Sequence, residues 1–570
     1  MYTTAAAFLD ALHETGVEYL FANLGSDHTS LIEALVWARK TGRKTPQLIT
    51  CPHEMVALSA AHGYAQMTGR PQAVVVHVEC GTQSLAGAVH NAAKGRAPVL
   101  IFAGTSPATQ EGESRGSRNE FIHWLQDVVD QRGLVRGYVR YEHEVRVGAN
   151  IKQIVHRAMQ FANSGSKGPV YLTACREVLE QEIPQVTLDP TRWEPTAPSA
   201  LPPGAPALVA DALSTARRPL IVTSYLGRSA AAVEQLVKLS GRLAVGVLES
   251  APSYLNFSHD DPLHQGSQWN EQRQNPVLAQ ADVVLVIDSD VPWIPLVNRP
   301  ATDARIIHLD VDPLKQQIPL WYIGAHHTFG VDAAIALRQI NDYIDRLTID
   351  EGLVAQRRAH YEQLHAQRLA ELARQERIEG AAITPAYLTA CVSRAIGPDA
   401  VILSEGVTNY GVISNHSGRT KPGTLYSSGG GSLGWSSGAA VGAKLARPDA
   451  LIATLTGDGS YMFSIPSSAH WMARRYGTPF LQVIYNNGGW RAPRSSATAV
   501  HPDGFASRGE DIGISFEPVP DYAAIAAAAG GAHAETVHRP EEVEGALARA
   551  VRAVREERRC AVLSAVVSGA

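Results

Sequence analysis

The chain is 570 residues long, 45% hydrophobic and 18% charged, with 50 Lys and Arg against 55 Asp and Glu for a formal net charge of −5. That length suggests roughly three or four folding units, and the apolar share excludes disorder, collagen-like repeats or a coiled coil as the main architecture. No run of about 18 uncharged apolar residues is available to span a membrane, no basic stretch offers a nucleic-acid footprint, and the five scattered cysteines, without CxxC spacing, read as reduced thiols of a cytoplasmic protein.

In chain order, the opening MYTTAAAFLDALHETGVEYL predicts an amphipathic helix with acidic residues, unlike a signal peptide. A strand-like Tyr19–Ala22 follows. Buried strands are then predicted at Ala73–Val78, Val99–Ala103, Val170–Thr173, Leu220–Thr223, Val283–Ile287, Ile306–Leu309, Val401–Leu403, Leu451–Leu455 and Phe480–Tyr485. Most run into Gly, Ser, Asp or Asn and then a helical period, the pattern of parallel sheets covered by helices. Nine such strands need more than one sheet. The Pro-rich stretch Pro190–Pro206 reads as an extended linker, and the polar helix Leu353–Arg377 as a solvent-facing bridge. The expected fold is α/β, three doubly wound parallel-sheet domains over Met1–Leu188, Ala205–Ile349 and Ala381–Ala570.

The chemistry concentrates in Leu451–Trp490. One strand ends in Gly457-Asp458-Gly459-Ser460 and the next in Asn486-Asn487-Gly488-Gly489. Open α/β sheets bind ligands at the carboxyl ends of their strands. One carboxylate, one amide oxygen and glycine carbonyls are hard oxygen ligands that suit Mg²⁺ beside a phosphate, while Gly459 and Ser460 offer backbone N–H groups at a helix start. Either cluster alone is an ordinary turn; both after buried strands are harder to dismiss.

This pair resembles the thiamine diphosphate motif of the acetolactate synthase and pyruvate decarboxylase superfamily. The resemblance implies that the Asp458 carboxylate, the Asn487 side chain and the Gly489 carbonyl hold Mg²⁺ against the diphosphate. Cys51-Pro52-His53-Glu54-Met55-Val56-Ala57, leading to Gly63-Tyr64-Ala65, resembles the family's HE…GYA segment. It implies that Glu54 shares a proton with the aminopyrimidine ring and so activates the cofactor carbon, which becomes nucleophile and electron sink. Ser428–Ala443 (SGGGSLGWSSGAAVGA) resembles the segment under the cofactor, with Leu433 as the wedge, its N–H on the ring, and the Gly431 carbonyl on the amino group. Ser404–Asn409 resembles the diphosphate loop of the oxalyl-CoA decarboxylase and 2-hydroxyacyl-CoA lyase branch, implying contacts from Glu405, Gly406 and Val407.

The same resemblance implies a site shared between the first unit of one subunit and the third unit of another, hence a homodimer at least, with a homotetramer usual. Asp27 or His28, after Tyr19–Ala22, is placed to move protons at the substrate. Gln83, Gln126 and Tyr138 are expected along the same cleft, and Trp490, Arg491 and Arg494 at its mouth, an arginine suiting a carboxylate or phosphate. Relatives use the middle domain for FAD or the ADP part of coenzyme A, or leave it empty. Here it lacks GxGxxG, and Tyr225, Arg228 and Trp293 are the residues that could cradle such a group. The expected activity is a thiamine diphosphate- and Mg²⁺-dependent carbon–carbon lyase or carboligase acting beside a carbonyl. Its substrate is a 2-oxo acid, 2-hydroxy ketone or 2-hydroxyacyl-CoA. The EGVTN loop and the Gly488-Gly489-Trp490 run favour 2-hydroxyacyl-CoA cleavage over acetolactate synthase-like ligation or simple decarboxylation. A non-catalytic paralogue would be expected to lack Glu54, Asp458 or Asn487, and all three stand.

Overall fold

A computed structural model describes residues 2–568 except 322, 379 and 510–512. Its strands form three six-stranded sheets, each parallel throughout. The first sheet has β1 (Tyr19–Ala22), β2 (Gln47–Thr50), β3 (Gln72–Val76), β4 (Val99–Gly104), β5 (Glu142–Glu144) and β6 (Val170–Ala174), in spatial order β2-β1-β3-β4-β6-β5. The middle sheet has β7 (Pro219–Thr223), β8 (Gly246–Ser250), β9 (His264–Gln268), β10 (Val283–Ile287), β11 (Arg305–Asp310) and β12 (His327–Gly330), in order β12-β11-β10-β7-β8-β9. The third has β13 (Val401–Glu405), β14 (Leu425–Tyr426), β15 (Ile452–Gly457), β16 (Leu481–Asn486), β17 (His533–Val537) and β18 (Ala561–Val566), in order β14-β13-β15-β16-β18-β17. The chain is therefore α/β with three doubly wound parallel sheets. Inner parallel strands covered by helices on both faces are buried, which is why the nine predominantly apolar runs all fall on strands.

One boundary bears on the site. The run Ala73–Val78 stops being strand at Val76, because Val78 takes φ 35° and opens the helix Val78–Ser84. His77 is thereby left at a strand end. The Pro-rich stretch opens with a 3₁₀ turn, Pro190–Trp193, started by proline at its first position and capped by the Asp189 side chain, and is extended over 194–202. Its end is not linker, since Ala205 and Pro206 form the first turn of the helix Ala205–Thr215, where proline's missing N–H costs nothing. The long polar helix, Glu351–Gln375, does not simply face solvent. Val354, Arg357, Tyr361 and His365 form a buried stripe on it. Arg357 donates to the Leu243 carbonyl (3.0 Å) and Tyr361 to that of Pro219 (2.7 Å), clamping the helix to the middle unit.

The first and third units meet through two helices, Glu54–Thr68 and Ser436–Ala446. They approach closely because the facing positions are small. A Cβ on Gly442 would overlap the Ala60 carbonyl oxygen, and one on Gly63 would overlap that of Ala439. Gly442→Ala is accordingly expected to destabilise by about 2 kcal/mol, the overpacking term outweighing the gain in helix propensity. Gly241→Ala, in the helix Ala230–Leu243 with open space around it, should stabilise by about 1 kcal/mol. Denaturant unfolding of the two variants checks the contrast.

Candidate active site

The parallel pair β15 and β16 ends side by side, Gly457 in register with Tyr485. Asp458 opens the helix Asp458–Phe463 and is buried. Its Oδ1 accepts the Gly459 N–H (2.8 Å) and its Oδ2 the Gly489 N–H (3.0 Å). Burial pushes its carboxyl above the usual range, against the pull of these N–H groups. Beside it, Asn487 Oδ1 and Ser460 Oγ are buried without a hydrogen-bond partner. Buried polar atoms are rarely left so. A desolvated carboxylate with orphaned oxygens around it has the donor set of a magnesium–phosphate site, so the residues present fit that group. Gly488 (φ 75°) and Gly489 (φ 146°) take backbone angles that other residues reach only with strain. Trp490 packs edge-on against Phe516 (5.1 Å) and lies so close over Gly459 that no side chain would fit there. Arg491 donates to the Asn487 carbonyl (Nη2, 2.9 Å), which fixes the turn; Arg494 follows one turn on, in the helix Arg491–Val500.

The two glycine-rich segments are joined by Glu405. Its carboxylate, buried at the end of β13, accepts N–H groups from Gly434 (2.6 Å), Trp435 (3.0 Å) and Ser436 (2.8 Å), capping the helix Ser436–Ala446. The Glu405 side chain is thus a brace for the 428–443 segment, not an anion ligand: a carboxylate would repel a diphosphate, and here it is fully engaged. After Gly406, Val407 adopts φ 52°, an unusual angle for a β-branched residue. Gly431 donates its N–H to His90 Nε2 (3.1 Å), and Leu433 stays half-buried just before the brace.

In the first unit, Glu54 is half-buried at a helix start and accepts the Asn23 side-chain N–H (3.0 Å). Among the described residues no hydrogen bond or ion pair joins Glu54 to Asp458 or Asn487. Asp27 and His28 lie deeper than a substrate contact allows. Asp27 Oδ1 is 2.6 Å from His77 Nδ1 and 3.0 Å from His28 Nδ1, and Oδ2 accepts the Val78 N–H (3.1 Å). His28, fully buried and held below its usual pKa by desolvation, accepts the Gly25 N–H at Nδ1 (3.0 Å). The group this pair presents outward is His77. Its Nε2 is 3.0 Å from the Gln126 side-chain oxygen, and the Asp27 hydrogen bond raises its pKa. Sequence reasoning missed His77 because it continues the apolar run Ala73–Val78; the signal was a polar ring at the carboxyl end of that run. Gln126 joins this cluster. Gln83 points to Glu79 instead. Tyr138 packs edge-on against His90 (5.9 Å) and lines a different cavity.

That cavity, about 230 Å³, separates the first and middle units and is lined by Lys94, Arg140, Lys167 and Lys315 with Asp290 and Asp312. The middle-unit residues proposed to cradle a nucleotide are engaged internally. Tyr225 donates to Asp310 (2.6 Å) beneath the Arg96 guanidinium (3.9 Å), Arg228 lies over the same ring, and Trp293 is buried.

Three family models match the sequence of this chain: the thiamine pyrophosphate enzyme N-terminal binding domain over 2–134, the central domain over 207–319 and the C-terminal binding domain over 406–565. The chain belongs to the thiamine diphosphate-dependent enzymes, within the broad acetolactate synthase and decarboxylase type. It is 27% identical to benzoylformate decarboxylase of Pseudomonas aeruginosa, covering 97% of this chain and 98% of the relative. It is also 24% identical to an acetolactate synthase large subunit of Parasynechococcus marenigrum, covering 85% and 76%. Its fold is that of a solved 4-hydroxybenzoylformate decarboxylase of Rhodococcus jostii, with a TM-score of 0.78 at 21% identity over 100% and 99% of the two chains. No helix among the described residues is long and apolar enough to cross a membrane.

Proposed function

We propose that this enzyme cleaves the bond beside the carbonyl of a 2-oxo acid, releasing its carboxylate carbon as CO₂, with thiamine diphosphate and Mg²⁺ in a site shared by two subunits. The observation that carries the choice of substrate is His77, with both ring nitrogens set on acceptors, Asp27 and Gln126. Those two acceptors favour the protonated imidazole, which offers positive charge at the cleft to a substrate carboxylate. Full-length similarity to decarboxylases of 2-oxo acids supports the same reading.

Asp458, Asn487 and Gly489 would hold Mg²⁺, with Gly459 and Ser460 on the diphosphate, and Glu54 would hold the proton shared with the aminopyrimidine. When bound, the cofactor supplies a carbon nucleophile that also accepts the electron pair left by the departing carboxylate. The chain's own residues do the rest. His77 orients the acid, Asp27 fixes His77, Leu433 and Trp490 shape the walls, and Glu405 keeps the 428–443 segment in place. A second copy is called for by two apolar rims in one chain. Phe121 and Leu125 stand 76% and 77% exposed beside Gln126, and Phe463, which closes the helix that Asp458 opens, stands 49% exposed.

Asp27→Asn is expected to lower the pKa of His77, because it removes the carboxylate whose hydrogen bond raises it. The cation is lost as pH rises, so the alkaline limb of kcat/KM should move to lower pH, with KM rising more than kcat falls. An unmoved limb would contradict the role. The reading as a whole is tested by supplying the holoenzyme with a panel of 2-oxo acids and measuring CO₂ and aldehyde. Release from at least one is expected, and none from any acid would overturn it.

A second reading, cleavage of a 2-hydroxyacyl-CoA, is favoured by one feature, the lysine- and arginine-lined cavity of about 230 Å³, whose charge suits a phosphate-bearing ligand. Thermal shifts with CoA and ADP decide between them, because a ligand stabilises only the state it binds.

A further inference from the structure

The turn Val407–Asn409 lies beside the Asp458 cluster. It leaves the end of β13, where Glu405 is in register with Thr456, and the Gly406 carbonyl before it lies next to Gly457, the residue preceding Asp458. Val407 holds φ 52° there, and a β-branched residue keeps such an angle only where its surroundings over-determine it. Asn409 closes the turn, its N–H on the Gly406 carbonyl (3.0 Å) and its side-chain oxygen buried without a partner. From within the third unit, Ile413 packs against Gly406, where a Cβ would overlap its Cδ1.

The remaining hold on the turn comes from the middle unit. A short helix, Tyr410–His416, follows the turn directly, and the end of β9 grips it along its length. The Trp269 ring stacks on Tyr410 (4.3 Å, 7° between planes) and donates from Nε1 to Ser414 Oγ (3.1 Å). Further along, the Asn415 amide donates to the Ser267 carbonyl (2.9 Å) and accepts the Ser267 N–H (3.1 Å). At the helix end, His416 Nδ1 lies 2.9 Å from a carboxylate oxygen of Glu376, just past the bridging helix. β9 is fixed from behind as well, since Ser267 Oγ donates to the buried Glu249 carboxylate (3.1 Å). Of these contacts, the stacked pair is the one adjoining the turn.

We infer that Trp269 is a positioning residue for the cofactor: a middle-unit ring, acting through Tyr410, holds the turn Val407–Asn409 in the form that meets the diphosphate. The inference rests on the reading of the Asp458 cluster as the seat of Mg²⁺ and diphosphate, and adds what the middle unit contributes to it. A ring lying flat on a ring fixes the tilt of the helix, whereas an aliphatic side chain fills volume without setting an orientation. Without the stack, Val407 relaxes toward an ordinary angle. Affinity then falls in proportion to the fraction of molecules that keep the strained turn.

Calorimetric titration of the Mg²⁺-saturated full chain with thiamine diphosphate tests this. Trp269→Leu is expected to weaken binding about tenfold, within the range commanded by residues that do not touch the ligand. Its kcat at saturating cofactor should stay within about twofold of the parent, since the bound form is the same. Trp269→Phe keeps a ring on Tyr410 and should bind within about threefold of the parent. Tyr410→Leu removes the other ring and should show the same loss as Trp269→Leu, with the double variant no weaker than either. Parent-strength binding by either leucine variant, equal weakening by Trp269→Phe, or additive losses would each overturn the role. Hydrogen exchange in the cofactor-free chain gives a readout that needs no ligand. The amides of Val407 to Asn409 should exchange about tenfold faster in Trp269→Leu than in Trp269→Phe, and equal rates overturn the role. Should the parent chain bind no thiamine diphosphate, the reading of the Asp458 cluster fails by itself, and the exchange rates still decide Trp269.

Discussion

Replacing Asp458 with alanine is expected to abolish cofactor retention and lower activity by at least about a thousandfold, equivalent to roughly 4 kcal/mol of lost transition-state stabilisation. Among the described residues, Asp458 is the one carboxylate at the paired ends of β15 and β16. The oxygens beside it, Asn487 Oδ1 and Ser460 Oγ, are neutral. Mg²⁺ sites built on a phosphate use only one or two protein carboxylates, so the loss of this one removes most of the charge that the protein offers the ion. Alanine also frees the N–H groups of Gly459 and Gly489, and loosening of the turn could mimic a metal effect. Asp458→Asn separates the two causes, since the amide keeps an acceptor and loses the charge. Calorimetric titration with thiamine diphosphate in Mg²⁺ should show no binding for either variant, nor for parent protein stripped with EDTA. Binding of parent strength by Asp458→Asn would remove the metal from the account.

Glu54→Gln is expected to lower kcat by about 10²- to 10⁴-fold, the usual worth of a positioned proton-transfer group, while cofactor affinity changes only a few-fold. The amide keeps the size of the side chain and an oxygen for the Asn23 N–H that holds it (3.0 Å). What it loses is the exchangeable proton. Steady-state rates paired with cofactor titration distinguish this from a folding defect. Turnover within twofold of the parent would remove Glu54 from catalysis.

Much of the fold was legible because parallel strands buried on both faces must be continuous apolar runs, as at Val283–Ile287 and Val99–Ala103. Edge strands escaped for the same reason. Glu142–Glu144, His327–Gly330 and His533–Val537 are only partly buried and carry no such run. At the site, Asp458 and Asn487 could be found from sequence because strand ends place them whatever the loops do. Glu405 could not be assigned, since the N–H groups it braces lie about thirty positions along the chain and only the packed third unit brings them together. His77 was hidden by its own strand, and Asp27 and His28 looked like the outward groups because a short loop does not reveal which way it turns. Tyr225 and Arg228 had the chemistry to hold a nucleotide, but ion pairs from Arg96 and Lys315 fill the space.

The most direct measurement mixes two inactive proteins. Glu54→Gln and Asp458→Ala subunits are unfolded together, refolded with thiamine diphosphate and Mg²⁺, and assayed. If Glu54 of one subunit and Asp458 of another grip the same cofactor, each hybrid dimer contains one site with both residues intact, and activity should return to roughly a quarter of the parent value in a symmetric dimer. Hybrids that form and stay inactive would contradict the shared site.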